Sequence, residues 1–199
     1  MRTFLIATKN FGKLAEFKAL LRDFDCEIIS AADIDIQEID ENGTTFEENA
    51  LIKARAASCV VQDRGYYVIG DDSGLCVHAL NNRPGIYSAR YAPNGDFKLG
   101  RLKLLHEMSL LCSDDRSAHF TCAIALIEPN GSYNSFIGEV FGKISSQERG
   151  KNGFGYDSIF IPEGYEHTFG EMDTSFKDTI SHRAKAFEQL KNYLLSNRD

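Results

Sequence analysis

Residues 67–77 read YVIGDDSGLCV. A short apolar run, Tyr67-Val68-Ile69, stops at Gly70, and Asp71 and Asp72 follow side by side ahead of Ser73 and Gly74. Neighbouring side chains of an extended chain point to opposite faces, so the two aspartates are expected to do different jobs. One can face a ligand while the other fastens the loop. Gly70 and Gly74 permit a sharp bend and the close approach of a ligand to the backbone. A carboxylate at a strand end can hold Mg²⁺ or orient a water. The plainer reading is a polar turn between two strands, which Asp and Gly also favour. One aspartate alone makes a poor Mg²⁺ site. Glu41, at the end of the acidic stretch Glu38–Glu41, would supply a second carboxylate. That stretch read in isolation is a solvated loop before a capped helix.

Three further segments could carry chemistry. Thr8-Lys9-Asn10-Phe11-Gly12-Lys13 is a strand-to-helix turn. Backbone N–H groups at a helix start favour phosphate. Thr8 and Asn10 can add donors there, and Lys13 can reach out from the first helical turn. The pattern G-x-x-x-x-G-K-[ST] is absent, so this is not a P-loop. Asn152-Gly153-Phe154-Gly155-Tyr156-Asp157 sets aromatics between glycines, which suits a platform for a flat base. Its alternative is a turn with two core aromatics. Lys177 precedes Ile180-Ser181-His182-Arg183. If Ser181 caps the last helix, His182 and Arg183 lie in its first turn, where the helix dipole disfavours cations. That placement suggests an anion or a carbonyl-rich ligand nearby; exposed basic residues are the alternative.

These candidates need elements to position them. Thr3–Ala7 and Glu27–Ser30 read as strands, and 12–24 reads as a helix with Leu14, Phe17, Leu20, Leu21 and Phe24 at helical spacing. Thr45-x-x-Glu48 matches a capping box and opens a helix that runs to about Asp63. Strands at 67–70 and 75–78 flank DDSG, and 81–95 reads as a loop. A helix over 96–113 turns Leu102, Leu105, Met108 and Leu111 inward. Residues 118–128 and 133–140 form a hairpin around Pro129-Asn130-Gly131-Ser132. A strand at 158–161 and a helix over 181–196 complete the chain. The class is α/β or mixed α+β around a long mixed sheet, in one domain with two lobes.

The 199 residues suffice for a substantial core. With 22 basic and 29 acidic side chains the net charge is 22 − 29 = −7, which argues against a nucleic-acid polymer as partner. A small anion needs only a local basic cluster or a metal. No stretch approaches the ~20 apolar residues of a membrane span, and the N-terminal apolar run is too short for a signal peptide. Five scattered cysteines without a C-x-x-C point to a reducing, cytoplasmic setting with buried thiols.

Taken in order, ATKNFGK, TFEENAxxKA (45–54), DDSGL, PGIYSARYA (84–92), GFGYD and ISHR resemble the inosine triphosphate pyrophosphatase family, nucleotide hydrolases that act on XTP and dITP. The resemblance covers nearly the whole chain. It implies an elongated mixed β-sheet with flanking helices and two lobes around a central substrate cleft. It also implies Mg²⁺-dependent cleavage between the α- and β-phosphates, and a homodimer. By it, Asp72 is the proton acceptor and a metal ligand, and Glu41 a further ligand. Thr8, Lys9, Asn10, Phe11, Gly12, Lys13 and Ser73 match triphosphate contacts. Phe154, Gly155, Tyr156, Asp157, Lys177, His182 and Arg183 match substrate contacts, the last two toward the base. Ser158, where the family often has proline, and Pro93-Asn94-Gly95 depart from the pattern but leave the charged set intact. The competing readings are a pyrophosphatase for other modified nucleotides and a catalytically idle nucleotide sensor.

Overall fold

The computed structural model describes residues 2–34, 36 and 39–197. It holds strands β1 (Arg2–Ile6), β2 (Cys26–Ser30), β3 (Tyr67–Val77), β4 (Arg83–Pro84), β5 (Ser117–Ile127), β6 (Tyr133–Ile144) and β7 (Phe160–Pro162). The helices are α1 (Phe11–Leu20), α2 (Phe46–Val61), α3 (Phe97–Ser109), α4 (Thr174–Ile180) and α5 (His182–Ser196). The mixed seven-stranded sheet has the order β2-β1-β3-β5-β6-β7, with β4 paired to β3. β1 runs parallel to both β2 and β3, while β4 is antiparallel to β3 and β7 to β6.

The chain divides into two compact units. The first comprises Met1–Asp72, Cys122–Gly138 and Arg183–Asp199; the second comprises Ser73–Thr121 and Glu139–His182. In the first, strand alternation decides the layers. Phe4, Ile6 and Ile69 point to one face, where they pack with Phe17, Leu21, Phe187, Leu190 and Leu194 of the α1 and α5 segments. Leu5, Ala7 and Val68 point to the other and meet Ala50, Ala54, Ala57 and Val61 of α2. A sheet apolar on both faces must be covered on both, and parallel strands impose that coverage. The small α2 residues bring that helix close. A Cβ on Gly70 would stand 2.0 Å from the Ala50 carbonyl oxygen and 2.8 Å from the Ala54 nitrogen. In the second unit, Leu75, Val77, Phe120, Val140 and Ile144 of the sheet pack with Leu104 and Met108 of α3 and with Phe160 and Phe169.

The structure corrects several local expectations. DDSG is not a turn between two strands, since β3 runs through it without interruption. Both aspartates find partners on the flanking helices, so the chain has no reason to bend there. Gly70 serves close helix packing rather than a bend. On α3 the buried face is Gly100, Leu104 and Met108, and Leu102 is exposed. Leu105 and Leu111 of the expected stripe pack against the core as Met108 does, and a Cβ on Gly100 would stand 3.1 Å from the Tyr156 hydroxyl. Ser181 closes α4, its N–H donating to the Lys177 carbonyl, and α5 begins at the next residue. The strand expected at 158–161 starts only at Phe160, after a 3₁₀ turn over Asp157–Ile159. Of the cysteines expected to be buried, Cys59 and Cys112 are exposed. Among the described residues no helix is long and apolar enough to cross a membrane.

The Gly70 contact yields a prediction. Gly70→Ala forces a methyl group into the α2 backbone, which cannot retreat as a flexible side chain would. Overpacking of this kind costs about 1–3 kcal/mol. Urea unfolding of the variant should show that loss, and an unchanged midpoint would mean that α2 does not seat on β3 as described.

Candidate active site

The parity that sorts Ile69 from Val68 also sorts the two aspartates. Asp71 falls on the α1/α5 face and Asp72 on the α2 face, so each buried charge has to be balanced there separately.

On the first face, Arg183 meets Asp71 with Nε 3.0 Å from Oδ2 and Nη2 3.3 Å from Oδ1. Its Nη1 donates to the Glu16 carboxylate. Lys13 forms an ion pair with the same Asp71, and its Nζ lies 3.5 Å from the Asp71 carbonyl oxygen. The Cys122 thiol donates to Asp71 Oδ2 at 3.0 Å. Burial works to raise the Asp71 carboxyl, but the Arg183 guanidinium and the Lys13 ammonium outweigh it and hold it well below the usual range. The same cluster pushes the Cys122 thiol up, through burial first and then the Asp71 charge.

Lys13 stands where it does because Asn10 caps α1. Asn10 Oδ1 accepts the N–H groups of Gly12 (2.9 Å) and Lys13 (3.2 Å), and the Asn10 N–H donates to Thr8 Oγ1 at 3.1 Å. The expected phosphate-facing donors of this turn are thus partly engaged by the cap itself. Lys9 is exposed, and Phe11 stands out at 80% exposure.

On the second face, α2 presents Asn49 and Lys53, one turn apart and both buried. Asn49 Nδ2 donates to Asp72 Oδ2 at 3.2 Å, and its Oδ1 accepts the Gly43 N–H at 2.8 Å. Lys53 Nζ lies between two carboxylates, 3.3 Å from Asp72 Oδ1 and 3.1 Å from Glu41 Oε1. Thr45 caps α2 by accepting from the Glu48 N–H, while the Glu48 carboxylate reaches back to accept from the Thr44 N–H and hydroxyl. This fixes the loop that carries Glu41. Glu38, the start of the expected acidic stretch, lies outside the described residues. Asp72 is raised by burial, which overcomes the pull of Lys53 and Lys13 and is aided by Glu41 and Asp71. Lys53 is also raised: burial pulls it down, but Asp72, Glu41 and Asp71 outweigh that.

Two carboxylates already held around one cation are a chemically suitable pair for Mg²⁺. That ion takes hard oxygen donors, commonly one or two carboxylates together with waters and substrate phosphates. Among the described residues no group of three or more acidic, His or Cys side chains converges on one point. The fit therefore rests on this pair with oxygens from solvent or substrate.

In the second unit Asp157 and Lys177 form a buried ion pair, Oδ2 to Nζ 2.7 Å. Asp157 Oδ2 also accepts the Phe154 N–H at 2.8 Å. Lys177 sits over the Phe154 ring, 4.9 Å from its centroid. Gly153 has φ +71°, and a Cβ there would meet Asp157 Oδ2 at 2.0 Å. Both conditions demand glycine. His182 stacks on Phe120 with ring centroids 4.7 Å apart and planes 9° apart. Ser73 is half-buried on β3.

The structure departs from the expected roles at two points. Tyr156 does not form a platform: it belongs to the hydrophobic core, and its hydroxyl donates to the Ser88 carbonyl at 3.0 Å. Arg183 does not present its donors to a base. It is 1% exposed, and Nε, Nη1 and Nη2 all face carboxylates. Sequence reasoning missed Asn49, Lys53 and Glu16. The i, i+4 spacing of Asn49 and Lys53 inside TFEENALIKA was a usable signal, because it puts both on one helix face.

Burial of the two aspartates on opposite faces with different partners predicts different phenotypes. Asp71→Asn takes the counter-charge from Lys13 and leaves Arg183 with Glu16 alone, and breaking a buried pair in this way costs about 3–5 kcal/mol. The sign with pH follows from the lowered carboxyl. The stabilisation is complete above the unfolded value of about 3.9 and is lost as pH falls toward the folded one. Denaturant unfolding near pH 7 should show the loss for Asp71→Asn and little for Asp72→Asn. Equal losses would refute the division.

Residues 4–193 match the family model described as Ham1 family. The dITP/XTP pyrophosphatase of Oceanobacillus iheyensis is 46% identical over 198 residues, 98% of either chain. That of Caulobacter vibrioides is 47% identical over 186 residues, 93% of this chain and 94% of its own. Among solved structures, a HAM1 protein from Coxiella burnetii superposes with a TM-score of 0.88 at 40% identity, covering 98% of this chain and all of its own. A family model spanning nearly the whole chain, relatives of this identity and a shared fold agree that the chain belongs to the Ham1 family.

Proposed function

We propose that the chain acts as one catalytic domain that hydrolyses dITP, ITP and XTP to the nucleoside monophosphate and pyrophosphate, with Mg²⁺. The observation that carries this reading is Asp72, a buried and raised carboxylate paired across one cation with Glu41. Curated relatives at 46–47% identity bear the name dITP/XTP pyrophosphatase.

In this reading Asp72 and Glu41 hold the metal, which when bound neutralises phosphate charge and acidifies water. Asp72 also takes the proton of the attacking water as the bond between the α- and β-phosphates breaks. A base whose proton affinity is raised performs this better than an ordinary aspartate. Asn49 fixes the Asp72 rotamer, and Lys53 keeps the two carboxylates from repelling each other. Lys13, oriented by Asp71, is proposed for the triphosphate together with Ser73 and the Thr8–Gly12 turn. Phe154, Gly155, Asp157, Lys177 and His182 are proposed for further substrate contacts. Arg183 takes a different role from the one first expected, anchoring Asp71. With Arg183 engaged by carboxylates, selection against ATP is assigned to His182 as the donor toward the base. ITP and XTP carry a carbonyl at C6 where ATP has an amino group, and a donor-built site rejects the wrong partner strongly. A homodimer in the cytoplasm is part of the proposal, resting on the family resemblance.

Incubation of the protein with ITP and Mg²⁺, with chromatography of the products, tests the reaction. IMP with pyrophosphate is expected, and ATP and GTP should turn over far more slowly. IDP with phosphate would make it a phosphohydrolase, and no turnover a sensor. Asp72→Asn should lower kcat by at least ~10², the scale of a lost general base, in a folded protein.

Lys53 gives a pH test. Removing its ammonium takes away a charge that lowers Asp72, so the Asp72 carboxyl rises further. The acid limb of kcat/KM, which reports the free enzyme, should move to higher pH in Lys53→Met. A limb that stays in place, or moves down, removes Asp72 as the titrating base.

A further inference from the structure

The second unit contains a side-chain chain that the proposed reaction does not use. His78 opens the 3₁₀ turn that follows β3, and Ser117 and His119 lie two apart on the neighbouring β5. His78 Nε2 and His119 Nδ1 face each other at 2.9 Å, with ring centroids 5.1 Å apart. The other nitrogen of His78, Nδ1, lies 2.8 Å from Ser117 Oγ. The Phe141 ring packs on His119 with centroids 5.3 Å apart. His78 is exposed and lines a cavity of about 450 Å³ with Phe141, Lys143 and Tyr165.

Two imidazole nitrogens at this separation can share one proton, or both can turn a lone pair to one cation. Metal–nitrogen bonds of ~2.0–2.1 Å put two such nitrogens about 2.9 Å apart at a right angle and about 3.3 Å apart at a tetrahedral one. The observed spacing matches the first of these. The required tautomers are available without net loss of a proton from the neutral pair. His78 carries its hydrogen on Nδ1 and donates it to Ser117 Oγ, and His119 carries its hydrogen on Nε2. A ligating histidine whose second nitrogen donates to an oxygen is the usual outer-shell arrangement, and it fixes both tautomer and ring. Burial lowers the His119 imidazole against the pull of Glu139, and His78 adds to the lowering.

We infer that His78 and His119, with Ser117 behind His78, form a binding site for a divalent transition metal of the Ni²⁺, Cu²⁺ or Zn²⁺ type. Imidazole selects these ions, whereas the Asp72–Glu41 oxygens suit Mg²⁺. Among the described residues no third acidic, His or Cys ligand converges here. Water therefore completes the shell. The site does not depend on the proposed catalytic reading, since none of its residues takes part in that chemistry.

The test uses the full-length, tag-free chain with Cys59→Ser and Cys112→Ser, which removes the exposed thiols as competing ligands. Calorimetric titration with Ni²⁺ in excess Mg²⁺ should give one ion per chain. His78→Gln and His119→Gln should each weaken it at least tenfold. Ser117→Ala, which keeps both ligands, should weaken it by about 10–100-fold, the range for outer-shell partners. Affinity should fall below about pH 6.5, where protons compete for imidazole. A measurement that needs no histidine variant is electron paramagnetic resonance of the Cu²⁺-loaded protein, with coupling to two imidazole nitrogens expected. No Ni²⁺ uptake above Mg²⁺, uptake indifferent to either histidine, or a Cu²⁺ spectrum without nitrogen coupling each overturns the site.

Discussion

A strand buried on both faces cannot carry a charge unless a helix brings the opposite charge to the same face. β3 carries two, on consecutive residues, and alternation sends them to opposite sides. Asp71 is answered by α1 and α5 through Lys13 and Arg183, and Asp72 by α2 through Asn49 and Lys53. The separation by face matters physically. Like charges on one face would share one set of cations and titrate as a pair. On two faces each has its own hydrogen-bond partners, although Lys13 pulls on both, and the two carboxyls are pushed apart, Asp71 down and Asp72 up. Divergent environments of this kind give two neighbouring carboxyls different proton affinities.

The two faces differ in how many donors they supply. Asp71 receives two ends of a guanidinium, an ammonium and a thiol. Its charged form is stabilised on every side, and it can act only as structure. Asp72 receives one amide and one ammonium that is shared with Glu41. Burial is therefore not fully answered there, and the deficit is what a divalent cation could fill. Arg183 likewise divides its donors between Asp71 and Glu16, which links β3, α1 and α5 in the first unit through one side chain.

Much of this was legible in the sequence, for reasons that can be named. The opposite facing of Asp71 and Asp72 followed from the alternation of an extended chain, which holds because β3 stays a strand through DDSG. Thr45 as a cap and Asp72 with Glu41 as a carboxylate pair were also readable, because caps and carboxylates announce themselves by residue type. What was not legible depended on long-range pairing. Arg183 meets Asp71 across 112 positions and Glu16 across 167, and no local pattern distinguishes such an arginine from one that awaits a ligand. Tyr156 was misjudged similarly, since its place in the core depends on α3 having a glycine opposite its hydroxyl. The continuity of β3 through DDSG was obscured by glycine and aspartate, which favour turns unless the tertiary structure supplies partners.

Glycine placement connects these observations. Gly70 and Gly153 each clear a path for a neighbour to reach a carboxylate-bearing segment: α2 against β3 in one case, Asp157 folding back to the Phe154 N–H in the other. At Gly70 no positive φ is involved, and the demand is for space alone. At Gly153 both space and a left-handed backbone are required. A side chain at Gly70 would strike the α2 backbone at Ala50 and Ala54, and one at Gly153 would strike the Asp157 carboxylate itself. The glycines flanking the acidic residues therefore set how closely charges are compensated. The ligand-facing flexibility that such glycines suggest in a bare sequence is secondary to that packing constraint.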